Sequence, residues 1–166
     1  MSKTYVALDP GRTTGVCVWS NRMKGIQLRH HEYEDGLVKL ISRLGYLNPD
    51  AVIFETFQYR RVPNADLYPV EIVGALTLWS AHTGVPLFGQ SPSAKTLWDD
   101  DKLKAAGLYL KGQPHANDAT RHLLYWASMP KYCCSATLRK WALEMLHHVR
   151  GSQSSKPASD PPEQSC

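Results

Sequence analysis

The chain has 166 residues, 43% hydrophobic and 20% charged, and its 19 Lys and Arg against 15 Asp and Glu give a net charge of +4. That is one ordinary domain, with or without a tail, and the apolar content excludes wholesale disorder. No run approaches the ~18–20 apolar residues of a membrane span, and the mild basic excess permits a polyanionic partner without requiring one.

In chain order, Tyr5 to Leu8 reads as an apolar strand that ends at Asp9. A Gly- and Thr-rich turn, Pro10 to Gly15, leads to a returning strand from Val16 to Trp19. Asn21 to Gly25 is a second turn, and Ile26 to Tyr33 a third strand, which completes an antiparallel meander. A helix is predicted from Glu34 through Leu47, with Leu37, Leu40, Ile41 and Leu44 on one face. Ala51 to Phe54, stopped by Glu55, has the continuous apolar character of a buried parallel strand. A polar, basic loop follows from Phe57 to Leu67, then a helix from Tyr68 to His82 closed by Gly84, and a strand from Val85 to Phe88. Pro92 to Trp98 is predicted helical, as is Pro114 to Trp126. Ser135 caps a last helix through Val149. The expected organisation is one domain over 1–150 and a disordered tail over 151–166, where no large apolar residue occurs. This order predicts an α/β domain with a mixed sheet of about five strands, three antiparallel and then parallel, flanked by helices.

The cysteines are Cys17, Cys133, Cys134 and Cys166, with no CxxC pair. Neither a structural zinc site nor a disulfide framework is expected, which suits a reducing cytoplasm. The first residues run straight into a strand, so no signal peptide is expected.

Asp9 and Glu55 both end core strands. Adjacent strands lie ~4.8 Å apart, and open sheets bind ligands at that edge, so the two carboxylates can face one site. His115 and Asp118, three residues apart at a helix start, share a helical face. Each acid alone has a structural explanation: Asp9 as a turn former, Glu55 as a satisfied strand end, Asp118 as a partner of the helix dipole. Together they form a set of like charges that divalent cations would neutralise. Oxygen donors with one imidazole suit magnesium or manganese, and two such ions ~3.5–4 Å apart suit displacement at phosphorus. The acidic run Asp99 to Asp101 is read as a helix-start or loop acid cluster.

Tyr5 to Gly15, Ile53 to Glu55 and His115-x-x-Asp118, in this order, resemble the motifs of RuvC-type Holliday-junction resolvases, which have the RNase H-like (retroviral-integrase-like) fold. The resemblance spans about residues 3–128. It implies that Asp9, Glu55, His115 and Asp118 are the catalytic and metal-ligating tetrad for two Mg2+ or Mn2+ ions. Members of the family carry either Asp or His at the position of His115. It implies further that the loop residues Phe57, Tyr59, Arg60 and Arg61, and then Lys95, Lys102, Lys104 and Lys111, contact DNA. The helix from Tyr68 is expected in a homodimer interface. The expected activity is cleavage of branched DNA in a bacterial or phage-infected cytoplasm. Alternatives are a fork or flap nuclease, an exonuclease, or a junction-binding protein with weak catalysis. An actin-like ATPase or sugar kinase is suggested by Asp9-x-Gly11 and Thr13-Thr14-Gly15, without a second phosphate loop or adenosine motif.

Overall fold

Apolar runs near the start of the chain and at 51–54 build the centre of a five-stranded sheet in the computed structural model, which describes residues 2–22, 27–34, 36–56, 66–131, 133 and 135–153. Strands β1 (Thr4–Asp9), β2 (Thr14–Ser20) and β3 (Gln27–Tyr33) form an antiparallel meander. Strands β4 (Ala51–Glu55) and β5 (Leu87–Gln90) extend the sheet in parallel from the other side of β1, in the order β3-β2-β1-β4-β5. Helix α1 (Gly36–Leu47) precedes β4 and α2 (Tyr68–Thr83) precedes β5. A 3-10 helix (Pro92–Leu97), α3 (Asp100–Ala105), α4 (Pro114–Ser128) and α5 (Ala136–Gln153) follow. This is the mixed sheet predicted from the order of elements.

The central strands are covered on both faces, so they read as unbroken apolar runs. Tyr5, Ala7, Cys17, Trp19, Ala51 and Ile53 pack with Leu123 of α4 and Leu138 of α5. Val6, Leu8, Val16, Val52 and Phe54 pack with Leu40 and Leu44 of α1 and Ile72 and Leu76 of α2. The Tyr5 ring centroid lies 5.7 Å from that of Trp19 and 5.2 Å from that of Trp126, a cluster of fully buried rings. Burial pushes the Cys17 thiol up to about 12, with only a partial offset from Thr120, so this cysteine is a packing group rather than a nucleophile. Among the described residues, no helix is long and apolar enough to cross a membrane.

Among the boundaries that differ from expectation are those of β5 and α5. Strand β5 begins at Leu87 rather than Val85, because Pro86 has no N–H to donate. Its carbonyl instead accepts from Val52 N at 3.0 Å, and the ladder starts at the pair Val52 and Leu87. Helix α5 runs to Gln153 rather than Val149, while Ser135 caps it as expected, its Oγ accepting from Leu138 N at 3.3 Å. The tail beyond Gln153 and the loop residues Phe57, Tyr59, Arg60 and Arg61 lie outside the described residues.

One close approach sets the position of α4. A Cβ added at Gly15 would stand 1.9 Å from the His115 carbonyl oxygen and 2.9 Å from Ala116 N, both backbone atoms of the first turn of α4. Only glycine lets that turn rest on β2. Gly15→Ala is expected to destabilise the fold by about 3 kcal/mol or more, the upper range for overpacking. Gly45→Ala, with nothing within 4 Å of the added Cβ, is expected to be neutral or stabilising. Urea denaturation of both variants checks the contrast, and a Gly15→Ala variant as stable as wild type would refute it.

Candidate active site

The four residues of the expected tetrad converge. Asp9 ends β1 and Glu55 ends the adjacent β4, one residue beyond the paired Leu8 and Phe54, so the sheet register itself sets the two carboxylates side by side. Helix α4 brings His115 and Asp118 over the same edge. Its N-cap position, Gln113, supplies no side-chain hydrogen bond. Glu32 of β3 does that work from across the sheet: its Oε1 accepts from His115 N at 2.8 Å and from Ala116 N at 3.4 Å. A carboxylate here also complements the helix dipole. Asn117 fastens the preceding turn, accepting from Leu110 N at 2.9 Å and donating to Leu110 O at 2.8 Å.

Each carboxylate has its own donor. His115 Nδ1 lies 2.8 Å from Asp9 Oδ2. The carboxylate can only accept, so this bond places a proton on Nδ1 and leaves Nε2 free to act as a ligand. Glu55 Oε2 receives His122 Nε2 at 2.8 Å and Lys95 Nζ at 2.8 Å. His122 is fully buried, and its Nδ1 meets Gln90 Oε1 at 2.7 Å, so the ring is held at both nitrogens and in turn orients Glu55. Asp118 Oδ2 receives Lys95 Nζ at 2.6 Å, while Arg121 donates to Asp118 Oδ1 and to Asp100.

The environment tunes these groups differently. Burial pushes the Asp9 carboxyl above the usual range, and the His115 hydrogen bond and the Lys95 charge only partly offset it. Burial acts in the same direction on Glu55, but the hydrogen bonds from His122 and Lys95 outweigh it and hold that carboxyl below the usual range. For Lys95, burial opposes the charge, and the hydrogen bonds to Asp118 and Glu55 reverse that, so the ammonium keeps its proton beyond the ordinary lysine range.

Among the described residues, no three His, Cys, Asp or Glu side chains are drawn together at metal-ligand spacing. A cation is nonetheless accommodated, because the Lys95 ammonium bridges Glu55 and Asp118. A place that seats one cation between two carboxylates, with Asp9 and an imidazole beside it, has the donor chemistry for a hard divalent ion.

The other lysines named from the sequence lie elsewhere. Lys102 closes the cap of α3, with Nζ 2.9 Å from Asp99 Oδ2 and 3.0 Å from Leu97 O. Lys104 pairs with Asp101 at 3.4 Å and covers the Tyr109 ring, and Lys111 is exposed in the turn before α4. Of the two readings of the acidic run, helix start or loop, the structure has the first: Asp99 caps α3, accepting from Lys102 N at 2.9 Å. Sequence reasoning missed His122, Gln90 and Arg121. His122 had a usable signal: it falls four residues after Asp118 and seven after His115, on the same helical face.

No family model and no curated protein matches the chain. Solved structures do. Thermus thermophilus RuvC in complex with a Holliday junction substrate is 18% identical, with 75% of this chain and 93% of that chain covered and a TM-score of 0.57. A second Thermus thermophilus RuvC structure is 21% identical over 75% of this chain and 93% of that one, at a TM-score of 0.54. The yeast mitochondrial Holliday junction resolvase Ydc2 is 14% identical over 90% of this chain and 83% of that one, also at 0.54. The fold is that of the RuvC-type resolvases.

Asp9→Asn tests the electrostatics without any cofactor. The amide oxygen still accepts from His115, and a buried charge is lost. A carboxyl with a raised folded pKa contributes stability below the ordinary carboxylate range and loses it as pH rises through the folded value. In metal-free buffer at neutral pH the variant is therefore expected to melt about 2–4 °C higher than wild type, roughly 1 kcal/mol for a domain of this size. The gap closes below about pH 4. Thermal melts across pH check this, and a lower melting temperature at neutral pH would contradict it.

Proposed function

We propose that the chain is a metal-dependent endonuclease that cleaves branched DNA, four-way junctions foremost, and acts as a homodimer. The observation that carries this reading is the convergence of Asp9, Glu55, His115 and Asp118 on one sheet edge, around a seated cation, in a fold shared with junction resolvases.

The residues divide the work. Mg2+ or Mn2+, two ions per site, held by Asp9, Glu55, His115 and Asp118, would activate the attacking water and stabilise the leaving 3′ oxygen. Asp9 and Glu55 stand on neighbouring strands, which keeps their separation constant while substrate binds. His115 orients Asp9, His122 with Gln90 orients Glu55, and Arg121 orients Asp118. The exposed side chains of Lys104 and Lys111 and the basic, aromatic loop containing Phe57, Tyr59, Arg60 and Arg61 supply phosphate contacts and stacking. Such contacts bind DNA without doing chemistry on it.

Catalysis and binding therefore separate on mutation. On a labelled four-way junction with Mg2+ or Mn2+, Asp9→Asn and Asp118→Asn are each expected to lose cleavage by about 100-fold or more, the several kcal/mol a metal site supplies, while junction affinity stays within a few-fold. A chelator abolishes cleavage by wild type. Wild-type rates in either variant would remove the site from the reaction, and cutting confined to forks, flaps or ends would reassign the substrate.

The homodimer reading rests on α2, which is apolar all round. Ile72 and Leu76 face the sheet, yet Leu78 is 74% exposed and Val70 45%, with Val38 of the adjoining α1 at 79%. A second copy of the chain covers such a surface by two-fold pairing. Sedimentation is expected to give a dimer at tens of micromolar for wild type and a monomer for Leu78→Glu. A monomeric wild type, with and without DNA, would overturn it.

A further inference from the structure

We infer that Lys95 is the resident counter-cation of the acidic site, a side chain that a divalent ion must displace before the site loads. The inference rests on the metal-dependent reading above and adds to it a specific obstacle to metal entry and a second state for this lysine.

The geometry separates Lys95 from Arg121, which also pairs with Asp118. Arg121 is anchored three ways, to Asp118, to Asp100 and through Nε to Trp98 O at 2.7 Å, and its side chain is 11% exposed. It is a fixed part of the wall. Among the described residues, Lys95 Nζ bonds to Glu55 Oε2 at 2.8 Å and Asp118 Oδ2 at 2.6 Å, two oxygens that belong to the expected ligand set. An ammonium is a compact charge on a flexible four-carbon stem, so it can swing away without moving the backbone that carries it. Its base, the 3-10 helix Pro92–Leu97, is independently held: Ser91 Oγ accepts from Ser93 N at 3.2 Å, and Trp98 N donates to Lys95 O at 3.1 Å.

One oxygen cannot hold the ammonium and a small divalent ion in the same direction. Magnesium takes oxygens at ~2.0–2.1 Å, well inside the N–O contacts seen here. The two cations also repel. Metal binding is therefore exchange rather than filling, and the apparent metal affinity is lowered by the fraction of time the lysine occupies the site. In exchange, the metal-free protein keeps its carboxylates neutralised and already near their working positions. Once displaced, the ammonium is left at the rim with no carboxylate of its own, where a DNA phosphate is the natural acceptor. Loading metal thus turns one side chain from a counter-ion into a phosphate contact.

Two measurements on the full chain test this, and neither reads cleavage. Reductive methylation of wild type, quantified residue by residue by mass spectrometry, is expected to modify Lys95 slowly in chelator and several-fold faster in Mg2+, with exposed Lys111 unchanged as the internal reference. Calorimetric titration with Mn2+ is expected to give at least about tenfold tighter binding for Lys95→Met than for wild type, together with a lower metal-free melting temperature for the variant. Metal-independent methylation of Lys95, or equal or weaker Mn2+ binding by Lys95→Met, overturns the inference while leaving the metal-dependent reading in place. No Mn2+ binding by either protein overturns both. If Lys95→Met does not fold, the labelling of wild type still decides.

Discussion

Asp9, Glu55 and Asp118 bring three negative charges into one partly buried place, and the surrounding architecture answers that repulsion. A pair of unit charges 4 Å apart interacts by about 4 kcal/mol at the effective dielectric of a protein surface, a large share of a domain's net stability. The molecule meets the cost locally rather than by spreading the acids apart. Each carboxylate is matched to a separate donor, and one ammonium is shared between two of them. The result is an electrostatically strained but ordered cluster in which Asp9 keeps the least complete compensation.

Holding that cluster requires a sheet and a helix in fixed relation. The parallel pairing of β1 with β4 positions two acids, and α4 positions the third. The antiparallel half of the sheet serves as the dock for α4: Gly15 makes room for its first turn, Glu32 caps it, and His30 Nδ1 lies 2.8 Å from Thr120 Oγ1 one turn further on. Strand β3 is an edge strand whose side chains are spent on this task, with alternate residues turned toward the helix.

Legibility in the sequence followed the range of the interaction. Strand ends, and the spacing of His115 and Asp118, depend on neighbouring residues only, and these were readable. So was the apolar excess of α2. Lys95 was assigned to DNA by the family resemblance, and its partnership with Asp118 was not legible, because it crosses 23 residues and no local pattern reports it. Gln90 was hidden by Pro86, which delays the start of β5 by two residues relative to the apolar run and carries the strand end to Gln90. Lys102 was assigned to DNA by the family resemblance, while the structure pairs it with Asp99 at the start of α3.

The contact between His115 and Asp9 joins positions 106 residues apart, and that between His122 and Glu55 joins positions 67 apart. A growing chain leaves the ribosome from its N-terminus at about 5–20 residues per second, and short-range pairings such as the β1–β2–β3 meander form before long-range ones. The strand-borne acids are therefore made seconds ahead of the helix that completes them. No nascent fragment shorter than the one that carries α4 holds an assembled site, so whatever chemistry the site performs is withheld from the translating polysome and begins only with the finished domain.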